Sequence, residues 1–224
     1  MFTAKVFFNK LVKKYKECDF AFIPVIKLYD REKEYFNVFL PLAKTVIVIY
    51  YPIINPADYI WYSPDKSGEK ERCNIDDRAN EICEFIKGYL LINSINTKIV
   101  PYPETSGLQF RYAALASGYG ELGKNAFYLH PIYGSKVHLR ILASELESKM
   151  LCSIKVKTKS VCLSCGECIN NCPADAYKNG FDGLKCRKFR MKRGEYEPFG
   201  ERRILRYCRR CVYSCNAGLT GKNI

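Results

Sequence analysis

Four cysteines at Cys162, Cys165, Cys168 and Cys172, the last followed by Pro173, leave little freedom in what that stretch can become. Cysteines three apart in a tight loop can converge on three corners of a cubic iron–sulfur cluster while the intervening backbone N–H groups point at its sulfurs. Pro173 turns the fourth thiol away, toward a second cluster. A partner set follows as Cys186-x21-Cys208-x2-Cys211-x3-Cys215, with its first gap stretched from two residues to twenty-one. Cross-ligation then assigns Cys162, Cys165, Cys168 and Cys215 to one 4Fe-4S cluster and Cys172, Cys186, Cys208 and Cys211 to the other. A zinc ribbon from Cys162, Cys165, Cys208 and Cys211 is the alternative, and it leaves four regularly placed cysteines without a role.

The rest of the composition suits a redox protein working in a reducing compartment. Twelve cysteines in 224 residues fall below the density of a disulfide scaffold. The first seventeen residues carry Lys10, Lys13 and Lys14 where a signal peptide needs an apolar core, so a cytoplasmic location is expected. The longest apolar run, Val46 to Ile54, has nine residues and contains Pro52, short of the ~20 that cross a bilayer, and no membrane association is expected. Hydrophobic residues at 48% supply a core, and the formal charge of +13 attracts anionic partners. Cys18, Cys73, Cys83 and Cys152 lack ligand spacing and read as inert thiols.

Eight of the twelve cysteines lie between Cys162 and Cys215, which divides the chain into residues 1–155 and 156–224. In the first part, Phe7, Leu11 and Tyr15 sit at helical spacing, and Lys44 to Tyr51 reads as a buried strand. Asn74 opens a helix with Asp76 and Asp77 in its first turn and an apolar stripe of Ile75, Ala79, Ile82, Cys83, Ile86 and Leu90. Strands are expected at Asn96 to Pro101 and Val137 to Leu142, and a helix at Leu108 to Ser117. The alternation predicts an α/β domain whose sheet is covered by helices, and the cysteine run a small ferredoxin-like α+β domain after it. Beyond residue 160 the periodicity fades, and the cysteines are expected to do much of the holding.

Gly118-Tyr-Gly120-Glu-Leu-Gly123 matches G-x-G-x-x-G, but the preceding Phe110 to Ser117 reads as a helix where a dinucleotide fingerprint needs a strand. What remains is a glycine loop followed by Lys124 and Asn125, where backbone can approach a large ligand. Ala113 to Asn125, then His130-Pro-Ile-Tyr-Gly-Ser135, then the two cysteine sets together resemble the epoxyqueuosine reductases and their reductive-dehalogenase relatives, over about residues 104–215. The resemblance implies a nitroreductase-like α/β domain that binds base-off cobalamin, fused to a two-cluster domain that delivers electrons to it. A low-potential donor such as a ferredoxin or flavodoxin would supply those electrons. By this analogy Gly118, Gly120, Gly123, Lys124, Asn125, His130, Gly134 and Ser135 would be the corrinoid contacts. Glu104 falls where the tRNA-modifying enzymes have a catalytic Asp, and a carboxyl there could donate a proton.

The sequence departs from the pattern at Glu121, where the family usually has an apolar residue, and at Glu104 itself. The chain also ends nine residues after Cys215, where epoxyqueuosine reductases continue into a helical-repeat domain that helps hold tRNA. A short relative with a different corrinoid-linked reduction is therefore expected, with tRNA as a possible partner. Between Lys185 and Arg210 lie eleven Lys or Arg interleaved with Phe189, Tyr196 and Phe199, which suits either RNA or an acidic electron donor. His138 reads as structural. The rival functions are a non-catalytic electron carrier or accessory module, and an iron–sulfur reductase that uses flavin in place of the corrinoid.

Overall fold

The computed structural model describes residues 2–55, 61–63, 72–155, 161–193, 196–199, 202–205 and 208–218; at 61–63, 72, 104, 190–193, 196–199 and 202–205 the description is of the backbone. In chain order the elements are α1 (Ala4–Lys14), β1 (Asp19–Pro24), α2 (Asp30–Phe39), β2 (Thr45–Pro52), β3 (Trp61–Ser63), β4 (Arg72–Cys73), α3 (Asn74–Ile92) and β5 (Thr97–Ile99). Then follow α4 (Pro103–Ser106), α5 (Phe110–Leu115), β6 (Glu121–Leu122), β7 (Tyr128–Leu129), β8 (Val137–Ser144) and β9 (Leu151–Cys152). The remainder comprises α6 (Glu167–Asn170), α7 (Gly183–Arg193), β10 (Tyr196–Phe199), β11 (Arg202–Leu205) and α8 (Arg210–Tyr213).

The central sheet has the order β5-β8-β2-β1-β9, and every neighbouring pair in it is antiparallel. β2 and β5, joined through α3, run the same way, and β8 is inserted between them. Helices thus alternate with strands as expected, yet no two neighbouring strands are parallel. Side chains alternate across each strand. Phe20, Phe22, Ile47, Ile49 and Leu142 face Phe7 and Leu11 of α1 and Ile82, Ile86 and Leu90 of α3. Ala21, Ile23, Val46, Val48, Ile141 and Ala143 face Phe36, Phe110, Ala113 and Ala114 on the other side. β2 is apolar on both faces because helices cover both, which is why it reads as a continuous run.

Strand β1, helix α2 and strand β9 have no counterpart in the sequence reading. Helix α2 carries Asp30, Arg31, Glu32, Lys33 and Glu34 in its first half, so only Phe36 and its neighbours mark an apolar stripe. The expected helix Leu108 to Ser117 forms as the shorter α5, and the left-handed Gly118 follows its end. Beyond 160 there is more regular structure than the fading periodicity suggests. The long gap between Cys186 and Cys208 holds most of α7 and a β10–β11 hairpin. That hairpin extends a sheet of order β10-β11-β3-β4, so the second part of the chain pairs with the first across the expected boundary.

Candidate functional site

Short helices α6 and α8 pack together and bring distant cysteines into range. Cys162, Cys165, Cys168 and Cys215 line one cleft with Gly123, Asn125 and Leu129. Burial pushes the Cys168 thiol up, and Cys215, Cys162 and Cys165 each push it the same way. The second group gathers around Tyr177. Burial raises the Cys211 thiol, a hydrogen bond with Tyr177 opposes the rise, and Cys186, Cys208 and Cys172 reinforce it. Cys168 and Cys211, each facing three other thiols, resist ionisation unless a cation joins the group. All twelve cysteines are free thiols. Among the described residues no three His, Cys, Asp or Glu side chains converge on a single-ion position. Thiolates on a cube attach to different irons and need no common point.

Residues of the first part hold these cysteine segments in place. The Glu121 carboxylate accepts the Val161 N–H at 2.7 Å and also the Cys162 N–H, fixing the start of the first loop. Asn125 donates to the Cys211 carbonyl at 3.4 Å and Ser135 to the Val212 carbonyl at 3.2 Å. The buried Tyr177 hydroxyl donates to the Asn125 carbonyl at 3.0 Å, so Asn125 lies between the two cysteine groups. Gly134 sits in the left-handed region at φ 57°, where a Cβ would overlap the Ala217 carbonyl oxygen. Residues 130–135 and the stretch after Cys215 therefore meet backbone to backbone.

The residues expected to meet a corrinoid divide into two kinds. Gly118 and Lys124 are exposed. Gly120 and Gly123 press against Tyr128 and Leu129 of β7. His130 is fully buried: its Nδ1 accepts from the Ile132 and Tyr133 N–H groups, and its Nε2 lies 3.3 Å from Asp19 Oδ2. Burial pushes the Asp19 carboxyl up, but the His130 imidazole beside it and a hydrogen bond from Ser153 outweigh it and hold the carboxyl below its usual range. Together with Asn125, Gly134 and Ser135, six of the eight face their own chain. Glu104 lies in α4, and its side chain is outside the described residues, as are those of Arg190, Lys192, Arg193, Arg202, Arg203 and Arg206.

Immediately before α4, the Tyr102 hydroxyl is 3.2 Å from His138 Nε2, which is 3.3 Å from Asp76 Oδ1. The Arg140 guanidinium stacks 4.1 Å from the Tyr102 ring centroid. Burial lowers the His138 pKa, hydrogen bonding and charge from Asp76 oppose that, and Arg140 and Arg209 add to the lowering. A folded-state pKa below the unfolded value of about 6.5 means that neutral His138 favours the fold above that pH. That contribution is lost as the pH falls below it toward the depressed folded-state value. Melting curves between pH 8 and pH 5 are expected to show stability dropping by up to about 1.4 kcal/mol per pH unit from this group. His138→Gln should flatten the slope, and equal slopes would remove His138 as its source.

No family profile matches the sequence, and no curated protein matches it. Solved structures do. An epoxyqueuosine reductase superposes with a TM-score of 0.65 at 19% identity, over 98% of this chain and 66% of that one. The fold is that of the epoxyqueuosine reductases. A second epoxyqueuosine reductase structure, containing an epoxyqueuosine-modified tRNA-Tyr stem loop, superposes with a TM-score of 0.62 at 18% identity, over 98% of this chain and 66% of that one. A catabolic reductive dehalogenase gives 0.55 at 15% identity, over 80% of this chain and 27% of that one. The chain thus spans about two thirds of the length of the epoxyqueuosine reductases it superposes on. No helix among the described residues is long and apolar enough to cross a membrane.

Glu121 and Tyr177 are the residues beside the cysteine groups that spacing did not single out. An acidic residue inside an otherwise apolar glycine loop was the available signal for Glu121. Nothing in the spacing of Tyr177 distinguishes it from the other sixteen tyrosines.

Proposed function

We propose that this protein is an iron–sulfur reductase that relays single electrons from a donor protein to an acceptor group held by its first part. The observation that carries the reading is the gathering of eight cysteines into two groups of four on an epoxyqueuosine reductase fold. The donor set fits two 4Fe-4S clusters: Cys162, Cys165, Cys168 and Cys215 would hold one, and Cys172, Cys186, Cys208 and Cys211 the other. Such clusters supply one-electron transfer when bound. Glu121 keeps the Cys162 loop in register, Asn125 tethers the Cys211 segment, and Tyr177 excludes water from the second group while bridging to Asn125.

Cobalamin is the acceptor implied by the resemblance, with flavin the alternative. The six inward-facing residues do not fit as ligand contacts, because the chain itself packs around them. Gly118 and Lys124 remain open to a ligand. Glu104 is assigned as the proton donor to the reduced substrate. Anaerobic reconstitution is expected to give about eight iron and eight sulfide per chain. Stoichiometric zinc with little iron in freshly purified anaerobic protein would refute the cluster reading. Titration of the same preparation with cobalamin and with flavin, followed in the visible spectrum, decides the acceptor: a base-off shift supports the corrinoid, and binding of flavin alone replaces it.

A further inference from the structure

An open groove of about 590 Å3 runs along the Asp175–Lys185 segment, between Cys172 and Cys186. Its exposed apolar side chains are Phe181 at 43% and Leu184 at 71% exposure, and Phe181 leans on the buried Tyr177 ring 5.2 Å away. Lys178, Lys185, Arg187 and Lys188 are exposed around them. Two carboxylates share the face. Asp182 is engaged in capping α7, accepting the Leu184 and Lys185 N–H groups at 3.0 Å, and Asp175 stands exposed beside it. Those four cations against the two carboxylates leave this face positive.

An apolar centre inside a charged rim is the composition of a protein–protein contact. Bare phosphate backbone would be met by basic side chains without that apolar centre. The place on the chain narrows the partner further. Asp175 is three residues from Cys172, and Cys186 lies in the first turn of α7, so a molecule seated here sits against the second cysteine group. Electron tunnelling falls off steeply with distance, so a donor seated on this face is placed to pass electrons to that group.

We propose that the Asp175–Lys188 face is the docking surface for an acidic one-electron donor protein, and that electrons enter through the cysteine group containing Cys172 and Cys186. This rests on the iron–sulfur reading above. In each encounter one electron leaves the donor's reduced centre and one cluster is reduced by one electron, with no bond made or broken. The rim charges set the encounter rate and its salt dependence, and Phe181 and Leu184 hold the docked pair.

The test compares the reconstituted protein with Leu184→Glu and with Lys185→Glu/Lys188→Glu, neither of which alters a cysteine. Reduction of the clusters is followed by stopped flow, using a prereduced acidic plant-type ferredoxin as donor and dithionite as a small control reductant. At low ionic strength each variant is expected to slow reduction by ferredoxin about tenfold or more, with the salt dependence of the charge-reversal variant flattened. Iron content and the rate with dithionite should stay unchanged. Unaltered ferredoxin rates with full iron content would overturn the docking surface and leave the reductase reading standing. Equal slowing with dithionite would overturn it as well, because the variants would then act on the cluster itself. Protein that binds no iron would overturn both readings. Weaker tRNA binding by the variants, with ferredoxin rates intact, would reassign the face to RNA.

Discussion

Gly134→Val is expected to leave the central sheet folded while iron falls from about eight to about four per chain. Valine strongly resists the left-handed backbone that Gly134 adopts, and its Cβ would overlap the Ala217 carbonyl oxygen. The least costly relief is to push away the stretch after Cys215, which removes one of the four thiols from the cleft that Cys162, Cys165 and Cys168 line. The second group draws none of its thiols from that stretch and should keep its cluster. Gly107→Ala is the control, because Gly107 shares the left-handed conformation at φ 71° but its Cβ would meet nothing. It should cost about 1 kcal/mol of stability and no iron. Iron and sulfide analysis with circular dichroism reads both variants. Full loading of Gly134→Val would show that the contact with Ala217 does not position Cys215.

Glu104→Gln removes a titratable proton with little change of shape. The variant should fold, load both clusters and bind whichever acceptor the wild type binds. Turnover is expected to fall by about two to four orders of magnitude, the usual size of a general-acid contribution. Reductive cleavage of a small activated halide or epoxide with a low-potential chemical donor serves as the assay, with the acceptor identified by titration present. Glu104→Asp, one methylene shorter, should recover part of the rate because it restores a carboxyl. Unchanged rates in Glu104→Gln would leave the proton to another group.

What could be read from the residues depended on how local the responsible physics is. Cysteine spacing is a local property, and so is the β-branched and aromatic run from Lys44 to Tyr51 that became most of β2. The stripe of α3 follows from its own helical period, and Cys83 is buried as that stripe requires. Strand β1 was invisible because its partners are remote: Phe22 pairs with Ile47 on one side and Leu151 on the other. Helix α2 was hidden by its charged first half. The antiparallel sheet could not be read from an alternating order of elements, since that order does not say that β8 returns to lie between β2 and β5. At the site, the glycines and small polar residues of 118–135 were conspicuous, but which partner they serve is a long-range fact. Ser135 reaches Val212 across 77 residues and Asn125 reaches Cys211 across 86.

The central sheet also sets an order of manufacture. Its last strand, β9, ends at Cys152, so every strand of the sheet has been synthesised before Cys162, the first cysteine of the two groups, is added to the chain. The pieces that complete the cysteine groups come last: Cys215 must find residues near Gly134, and β11 must pair with β3 about 140 residues upstream. Contacts of such long range form slowly, while a finished sheet gives the late segments a fixed surface to land on. On the cluster reading proposed above, iron and sulfide would therefore be installed after the platform has formed, into a folded body whose last cysteines are still to be seated.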